Sequence, residues 1–149
     1  MTAAGFLASM AGIGRLRPAP GTWGSALVLP LAWGGPALCL LAAALFSALG
    51  VWAISRLPEA RDDPSWVVID EGAGQSLALA ALPGFWTPGW TAPIWVVGAF
   101  VLFRFFDIVK PWPVSWADRR AGAVWVMLDD LVAGALAAAC LLAMRIVAG

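Results

Sequence analysis

The chain has 149 residues and no net charge, and 62% of its residues are hydrophobic while 12% are charged. Soluble globular domains carry roughly 45–50% apolar and about 25% charged residues, so the composition argues against a soluble protein. It favours an integral membrane protein with a single domain over residues 1–149. The zero net charge gives no argument for a nucleic-acid partner.

Two long uncharged runs indicate how the chain would enter a membrane. Residues 18–55 and 72–103 carry no charged side chain, and each run exceeds the about 20 helical residues that cross a ~30 Å hydrocarbon layer. Because the runs are continuously apolar rather than alternating, they predict helices rather than a β-barrel.

We therefore expect an all-α, polytopic membrane protein with about four to five embedded helices, at least one of them short or re-entrant. The predicted helices lie near 25–33, 36–56, 64–82, 91–107 and 121–147. Turns rich in Gly and Pro are expected between them, at 34–36, 83–93 and 110–113.

The segment before the first predicted helix begins with an apolar stretch that lacks a basic region, so we expect a lead-in helix rather than a cleaved signal. The loop Gly12–Ser25 then contains Arg15, Arg17, Thr22 and Ser25 among Gly and Pro residues. Backbone N–H groups in such a turn can bind an anion at the start of a helix. An interfacial loop whose arginines contact lipid phosphates explains these residues equally well.

The third predicted helix has a recognisable start and carries the first acidic pair. Asp63 can cap it and Pro64 suits the first helical position. This start would place Asp70 and Glu71 almost two turns inside the helix. Gln75, one turn after Glu71, either hydrogen-bonds to an acid or faces a neighbouring helix.

The segment Phe103–Arg120 carries a second group of charges. Arg104, Asp107 and Lys110 recur every three residues, which on a helix places them along one stripe. Such a stripe at a membrane surface could hold a phosphate between Arg104 and Lys110, with Asp107 orienting them. The alternative is an interfacial set of ion pairs with snorkelling side chains.

Asp129 and Asp130 form a second acidic pair, inside the last predicted helix. If the helices pair as hairpins, the ionic residues up to Arg120 gather on one face, which the basic residues mark as cytoplasmic. Both acidic pairs would then lie at a similar shallow depth. Four buried carboxylates repel one another unless a cation lies between them, and their oxygens favour Mg²⁺. The alternative is that individual acids pair with Arg104, Lys110 or Arg119.

Missing residue types narrow the chemistry further. The chain has no His, which excludes a histidine nucleophile or base and histidine-bound zinc. Cys39 and Cys140 lie in apolar runs and are expected to be plain thiols. Phosphate chemistry in this chain would therefore rest on carboxylates and a metal ion.

Four blocks of the sequence, taken in order, resemble the bacterial phosphatidylglycerophosphatase A family over most of the chain. The blocks are P-A-P-G-T-W-G-S at 18–25, D-D-P-S-W-V-V-I-D-E-G-A-G-Q at 62–75, F-R-F-F-D-I-V-K-P-W-P-V-S-W-A-D-R at 103–119 and V-M-L-D-D-L-V-A-G at 126–134. Two positions depart from the family pattern. Trp125 stands where a Gly is usual, and Ser76 stands where a Trp is common.

The resemblance implies a helical enzyme of the bacterial inner membrane that uses Mg²⁺ to hydrolyse phosphatidylglycerophosphate to phosphatidylglycerol and inorganic phosphate. Together with the charge pattern, it predicts a multi-pass protein whose active site faces the cytoplasm. The expected metal ligands are Asp70, Glu71, Asp129 and Asp130. The expected catalytic residues are these four acids with Arg104, Asp107 and Lys110. The phospholipid substrate is expected to be bound by Arg15, Arg17, Thr22, Ser25 and Arg119.

A membrane transporter for Mg²⁺ is the alternative function, because intramembrane acids also mark ion pathways. A conduction path needs acids through the full thickness of the bilayer. The acids of this chain are expected near one face, beside Arg and Lys, and this arrangement favours the phosphatase.

Overall fold

The computed structural model describes residues 1–60, 63–82 and 93–148, and all regular secondary structure in these ranges is helical. The predicted all-α class is confirmed. The described ranges contain seven α-helices: α1 Ala3–Ala8, α2 Pro20–Leu27, α3 Pro36–Ser55, α4 Ile69–Leu79, α5 Pro93–Val109, α6 Val114–Asp118 and α7 Ala123–Ala148. Three short 3-10 segments accompany them, at Ile13–Arg15, Leu29–Gly34 and Pro58–Ala60. The turn predicted at 83–93 falls almost wholly outside the described residues.

Two helices, α3 and α7, are long and apolar enough to cross a membrane. Helix α3 exposes a broad leucine surface, including Leu40, Leu41 and Leu45, which water would solvate poorly and lipid would solvate well. Helix α5 has 17 residues and exposes large apolar side chains such as Ile94 and Val101. How many helices lie within a membrane stays a prediction.

The helix predicted over 25–33 is wrong. Helix α2 spans Pro20–Leu27, and a 3-10 segment, Leu29–Gly34, follows it. Pro30 explains the early end, because a proline lacks the N–H that continues an α-helix and its ring collides with the carbonyl group four residues earlier. The lead-in helix expected before it is confirmed as α1, whose Ala4, Gly5 and Ala8 are buried.

The third predicted helix starts five residues later than expected. Helix α4 begins at Ile69, while Asp63 adopts a left-handed conformation with φ +50° and does not cap a helix. Instead, the backbone N–H of Val68 donates to the carbonyl oxygen of Ala8 at 2.9 Å. This contact with α1 fixes the chain just before α4, and it places Asp70 and Glu71 in the first turn rather than almost two turns inside.

Helix α4 lies at the centre of the fold and packs against α7, α3 and α5. Two glycines allow its close approach to α7. A Cβ atom added to Gly74 would overlap the carbonyl oxygen of Asp130, and one added to Gly134 would overlap the carbonyl oxygen of Gly74. Small residues permit such backbone contact between helices. The contact holds the start of α4 next to the acidic part of α7.

Candidate metal and phosphate site

Three carboxylates meet where α4 and α7 cross. One oxygen each from Asp70, Glu71 and Asp130 lie within 4.8 Å of one another, and we call these three residues the acidic triad. Asp70 and Asp130 are only 4% and 3% exposed. The predicted approach of the two acidic segments is thereby confirmed, although the residues are separated by about 60 positions in the chain.

The acidic triad suits a hard divalent cation. Asp70 Oδ1 and Glu71 Oε2 are buried and have no hydrogen-bond partner within the described part of the chain. An unpaired buried carboxylate is strongly destabilising, and three together add mutual repulsion. A cation bound by carboxylate oxygens removes both costs. Asp70 and Glu71 also lie in the first turn of α4, where the helix dipole favours negative charge.

Asp129 has a different partner from its neighbour Asp130. The ammonium group of Lys110 donates to Asp129 Oδ2 at 2.9 Å and also contacts Asp118 Oδ1. Burial alone would lower the pKa of Lys110, but its hydrogen bonds to the two carboxylates outweigh that effect and raise the pKa above its ordinary value. Asp129 therefore has a counter-charge in the protein, in line with the alternative that individual acids pair with basic residues.

The predicted stripe of Arg104, Asp107 and Lys110 is not a single helical stripe, because only the first two residues lie on α5. Helix α5 ends at Val109, and Lys110 has a left-handed backbone with φ +48°, so it leaves the helix axis. Arg104 Nη1 lies 2.7 Å from Asp107 Oδ2 and 3.9 Å from Glu71 Oε1. Arg104 and Asp107 thus border the acidic triad, whereas Lys110 forms an ion pair with Asp129.

The start of α2 closes over this part of the site. A Cβ atom added to Gly21 would overlap Glu71 Oε1 and would lie 3.1 Å from Arg104 Nη1. Arg104 Nη1 also donates to Ser25 Oγ at 3.5 Å, and Ser25 in turn donates to the carbonyl oxygen of Gly21 at 2.8 Å. Arg104 Nε is buried without a partner among the described residues, so a donor is available for an incoming anion.

Of the other predicted substrate-binding residues, the three arginines line two separate clefts. Arg15 and Arg17 border a cleft of about 260 Å³ together with Ser65 and Trp66. Arg119 borders a cleft of about 360 Å³ that also contains Asp118 and Asp129. Thr22 is half-buried on α2.

Several residues of the larger cleft were not selected from the sequence. The guanidinium group of Arg120 stacks on both Trp116 and Trp125, at 4.0 and 4.5 Å from their ring centroids. Asp63 also borders this cleft, and burial raises the pKa of its carboxyl group above the ordinary value. No periodic spacing connects these residues, because they come from a loop, α6 and α7.

Comparison with known proteins places the chain among lipid phosphatases. Residues 6–145 match the family described as Phosphatidylglycerophosphatase A. A protein of that name from Haemophilus influenzae is 35% identical over 82% of this chain and 76% of its own length. The Escherichia coli protein of that name is 37% identical over 82% and 72%. A Bacteroides thetaiotaomicron protein, provisionally named a phosphatidylinositol-3-phosphatase, is 39% identical over 78% and 77%. No solved structure is significantly similar to this chain.

Proposed function

The chain belongs to the phosphatidylglycerophosphatase A family, and we propose that it hydrolyses phosphatidylglycerophosphate to phosphatidylglycerol and inorganic phosphate during phospholipid biosynthesis. The observation that carries the proposal is the buried acidic triad with a guanidinium group at its border. This combination offers ligands for a cation on one side and a donor for a phosphate on the other. Family membership agrees with the resemblance seen in the sequence.

Asp70, Glu71 and Asp130 would hold Mg²⁺. This assignment is supported by the buried oxygens of Asp70 and Glu71 that have no partner in the described parts of the chain. When bound, the ion would polarise the phosphoryl oxygens and neutralise part of their charge. Asp129 remains a fourth proposed ligand. Its hydrogen bond with Lys110 occupies Oδ2, so Oδ1 would be the oxygen left for the ion.

Arg104 would bind the phosphate monoester. Its guanidinium group is held by Asp107 at 2.7 Å, and its buried Nε–H, which no described residue accepts, would serve a phosphoryl oxygen. Fixed donors of this kind stabilise the charge that develops as phosphoryl transfer proceeds. Lys110 would add positive charge beside Asp129 at the entrance to the site.

Hydrolysis requires a water molecule and a proton acceptor. The water oxygen forms a bond to phosphorus while the bond from phosphorus to the glycerol oxygen breaks. A carboxylate of the triad, or Asp107, takes the proton from the water, and the leaving glycerol oxygen takes up a proton. The products are the lipid alcohol and inorganic phosphate.

The proposed location is the bacterial cytoplasmic membrane, with several spans and the site towards the cytoplasm. Helices α3 and α7 supply segments long enough to cross, and the arginines that border the clefts suit a surface rich in lipid phosphate. We assign Arg15, Arg17, Thr22, Ser25 and Arg119 to binding of the lipid headgroup.

The decisive experiment measures inorganic phosphate released by the purified protein from phosphatidylglycerophosphate in mixed micelles. We expect release that requires Mg²⁺ and stops with a chelator. Phosphatidic acid and phosphatidylinositol 3-phosphate serve as competing substrates, since a relative carries a name for the latter. Phosphate release only from one of these competitors would overturn the proposed substrate, and uptake of Mg²⁺ into proteoliposomes without any phosphate release would overturn the phosphatase in favour of the transporter.

A further inference from the structure

Gln75 is an unusual buried side chain. It is fully buried on α4, and neither its amide oxygen nor its amide nitrogen has a hydrogen-bond partner in residues 1–60, 63–82 and 93–148. Among the residues that the structure describes, no other buried side chain has two unpaired polar atoms. A buried amide without partners destabilises a fold. Packing alone therefore does not explain why a glutamine occupies this position, whereas a bound molecule that hydrogen-bonds to the amide would explain it.

The register of α4 sets Gln75 on the same helix face as Glu71, a member of the acidic triad. Gln75 lies one turn after Glu71 on α4, and residues four positions apart share a helix face. Helical side chains also lean towards the N-terminus of their helix, which brings the later residue over the earlier one. Glu71 Oε2 is itself buried and has no partner among the residues placed by the structure, and no hydrogen bond joins the two side chains.

We propose that Gln75 is a positioning residue that holds the attacking water between its amide and the Glu71 carboxylate. The Cβ atoms of such a pair are about 5–6 Å apart, and two polar side chains at that spacing that do not bond directly can share one bridging water. This inference rests on the proposed phosphatase function.

The chemistry of an amide suits this task. Gln75 Oε1 accepts a hydrogen bond from one O–H of the water, and the Glu71 carboxylate accepts a hydrogen bond from the other, so a lone pair on the water oxygen is left for phosphorus. As the oxygen–phosphorus bond forms, the bond from phosphorus to the glycerol oxygen breaks, the second proton of the water passes to Glu71, and the leaving glycerol oxygen takes up a proton. The amide stays neutral and adds no further charge to the three acids, and glutamine orients the attacking water in other phosphoryl-transfer enzymes.

The neighbouring residue provides a matched control. Ser76 is also fully buried on α4, but its hydroxyl donates to the carbonyl oxygen of Gly72 at 2.7 Å. A role in packing and a role in holding water therefore predict different effects at these two adjacent positions.

The test compares Gln75→Met, which keeps the volume without the amide, with Gln75→Asn, which keeps a shorter amide. We expect kcat for phosphatidylglycerophosphate to fall about 100-fold in Gln75→Met, with KM unchanged. Gln75→Asn should retain more activity than Gln75→Met, and Ser76→Ala should match the unsubstituted protein. If position 75 only fills space, the order reverses, because the polar and smaller Asn packs worse than Met.

Two further measurements separate the inference from its competitors. The melting temperature of Gln75→Met should equal or exceed that of the unsubstituted protein, because an apolar side chain of similar volume replaces a buried amide whose proposed partner is a water molecule rather than a protein group. Binding of Mn²⁺, followed by electron paramagnetic resonance, should not change; weaker binding would make Gln75 a metal ligand and overturn the inference. If Gln75→Met does not fold, Gln75→Leu replaces it.

The two proposals fail in different ways. An unsubstituted protein that releases no phosphate from any of the lipids overturns the proposed function and this inference with it. An active unsubstituted protein whose Gln75→Met variant is equally active overturns the inference alone.

Discussion

Lys110 and Asp129 form a charge pair that joins the end of α5 to α7, with 2.9 Å between Nζ and Oδ2. The side chain of Asp129 is 6% exposed, whereas that of Asp118, the second partner of Lys110, is 41% exposed. Lys110 is therefore the counter-charge of a buried carboxylate, that of Asp129.

Replacement of that lysine should be costly. Lys110→Met leaves Asp129 buried without a counter-charge, and we expect the free energy of unfolding to fall by about 1–3 kcal/mol. Unfolding in SDS, followed by circular dichroism, measures the change. Asp118→Asn is the matched control, because an exposed ion pair contributes about 0–1 kcal/mol. Equal losses in the two variants would contradict the assignment of Asp129 as the buried partner.

The close contact between α4 and α7 leads us to expect that a larger residue at Gly74 disturbs the site. A methyl group at Gly74 collides with the backbone of Asp130, so Gly74→Ala should force the two helices apart and separate the acids they carry. We expect a loss of about 1–3 kcal/mol in stability and a strong loss of phosphate release.

Gly98→Ala on α5 is the control for Gly74→Ala. An added Cβ atom at Gly98 meets nothing within 4 Å, and alanine favours a helix over glycine by roughly 0.5–1 kcal/mol. Stability and turnover of this variant should not fall. If Gly74→Ala behaved like Gly98→Ala, the glycine contact would not be what holds the acidic triad together.

Metal binding should be visible without any turnover. A ligand that binds only the folded protein adds about 2.7 kcal/mol of stability when its concentration is 100 times the dissociation constant. Mg²⁺ should therefore raise the melting temperature, and a chelator should reverse the rise. Asp130→Asn should abolish the effect, because it removes a charge from the acidic triad. Glu59→Gln, in the exposed 3-10 segment, should retain it; a persistent rise in Asp130→Asn would remove Asp130 from the metal site.

The shape of the Arg104 side chain, and not only its charge, should matter. Arg104→Lys keeps a positive charge but loses the planar fork that reaches Asp107, Glu71 and an incoming phosphate together. We expect kcat to fall about 100-fold in the phosphate-release assay. Arg56→Lys, at a residue whose guanidinium stacks on Trp52, makes the same chemical change outside the site and should leave kcat unaltered.

The long apolar helices could be predicted well from the sequence. The observed bounds of α3 and α7 differ by two residues or fewer from the predicted 36–56 and 121–147, because long, mainly apolar runs with Gly or Pro before them determine where such helices lie. The start of α4 could not be predicted in this way. Pro64 gave a local signal, but a tertiary hydrogen bond from Val68 to Ala8 keeps the preceding residues out of the helix.

The sequence was sufficient to predict which acidic residues form the candidate site, but not which basic residue pairs with each of them. Buried acids attract a cation or a base wherever they occur, so their convergence followed from the charge pattern and the expected topology. Which acid takes which partner depends on backbone conformation. The left-handed turn at Lys110 redirects its side chain to Asp129, and a helical stripe drawn from sequence spacing cannot anticipate that turn.

The hydrogen bond between Ala8 and Val68 has a practical consequence for work on this protein. It fastens the first helix directly to the residue before α4, so any rearrangement of the N-terminal segment is transmitted to Asp70 within two residues. Affinity tags and fluorescent fusions are therefore better attached after α7, where Ile146 and Val147 are exposed. A protein attached there is separated from the carboxylates by most of the length of α7.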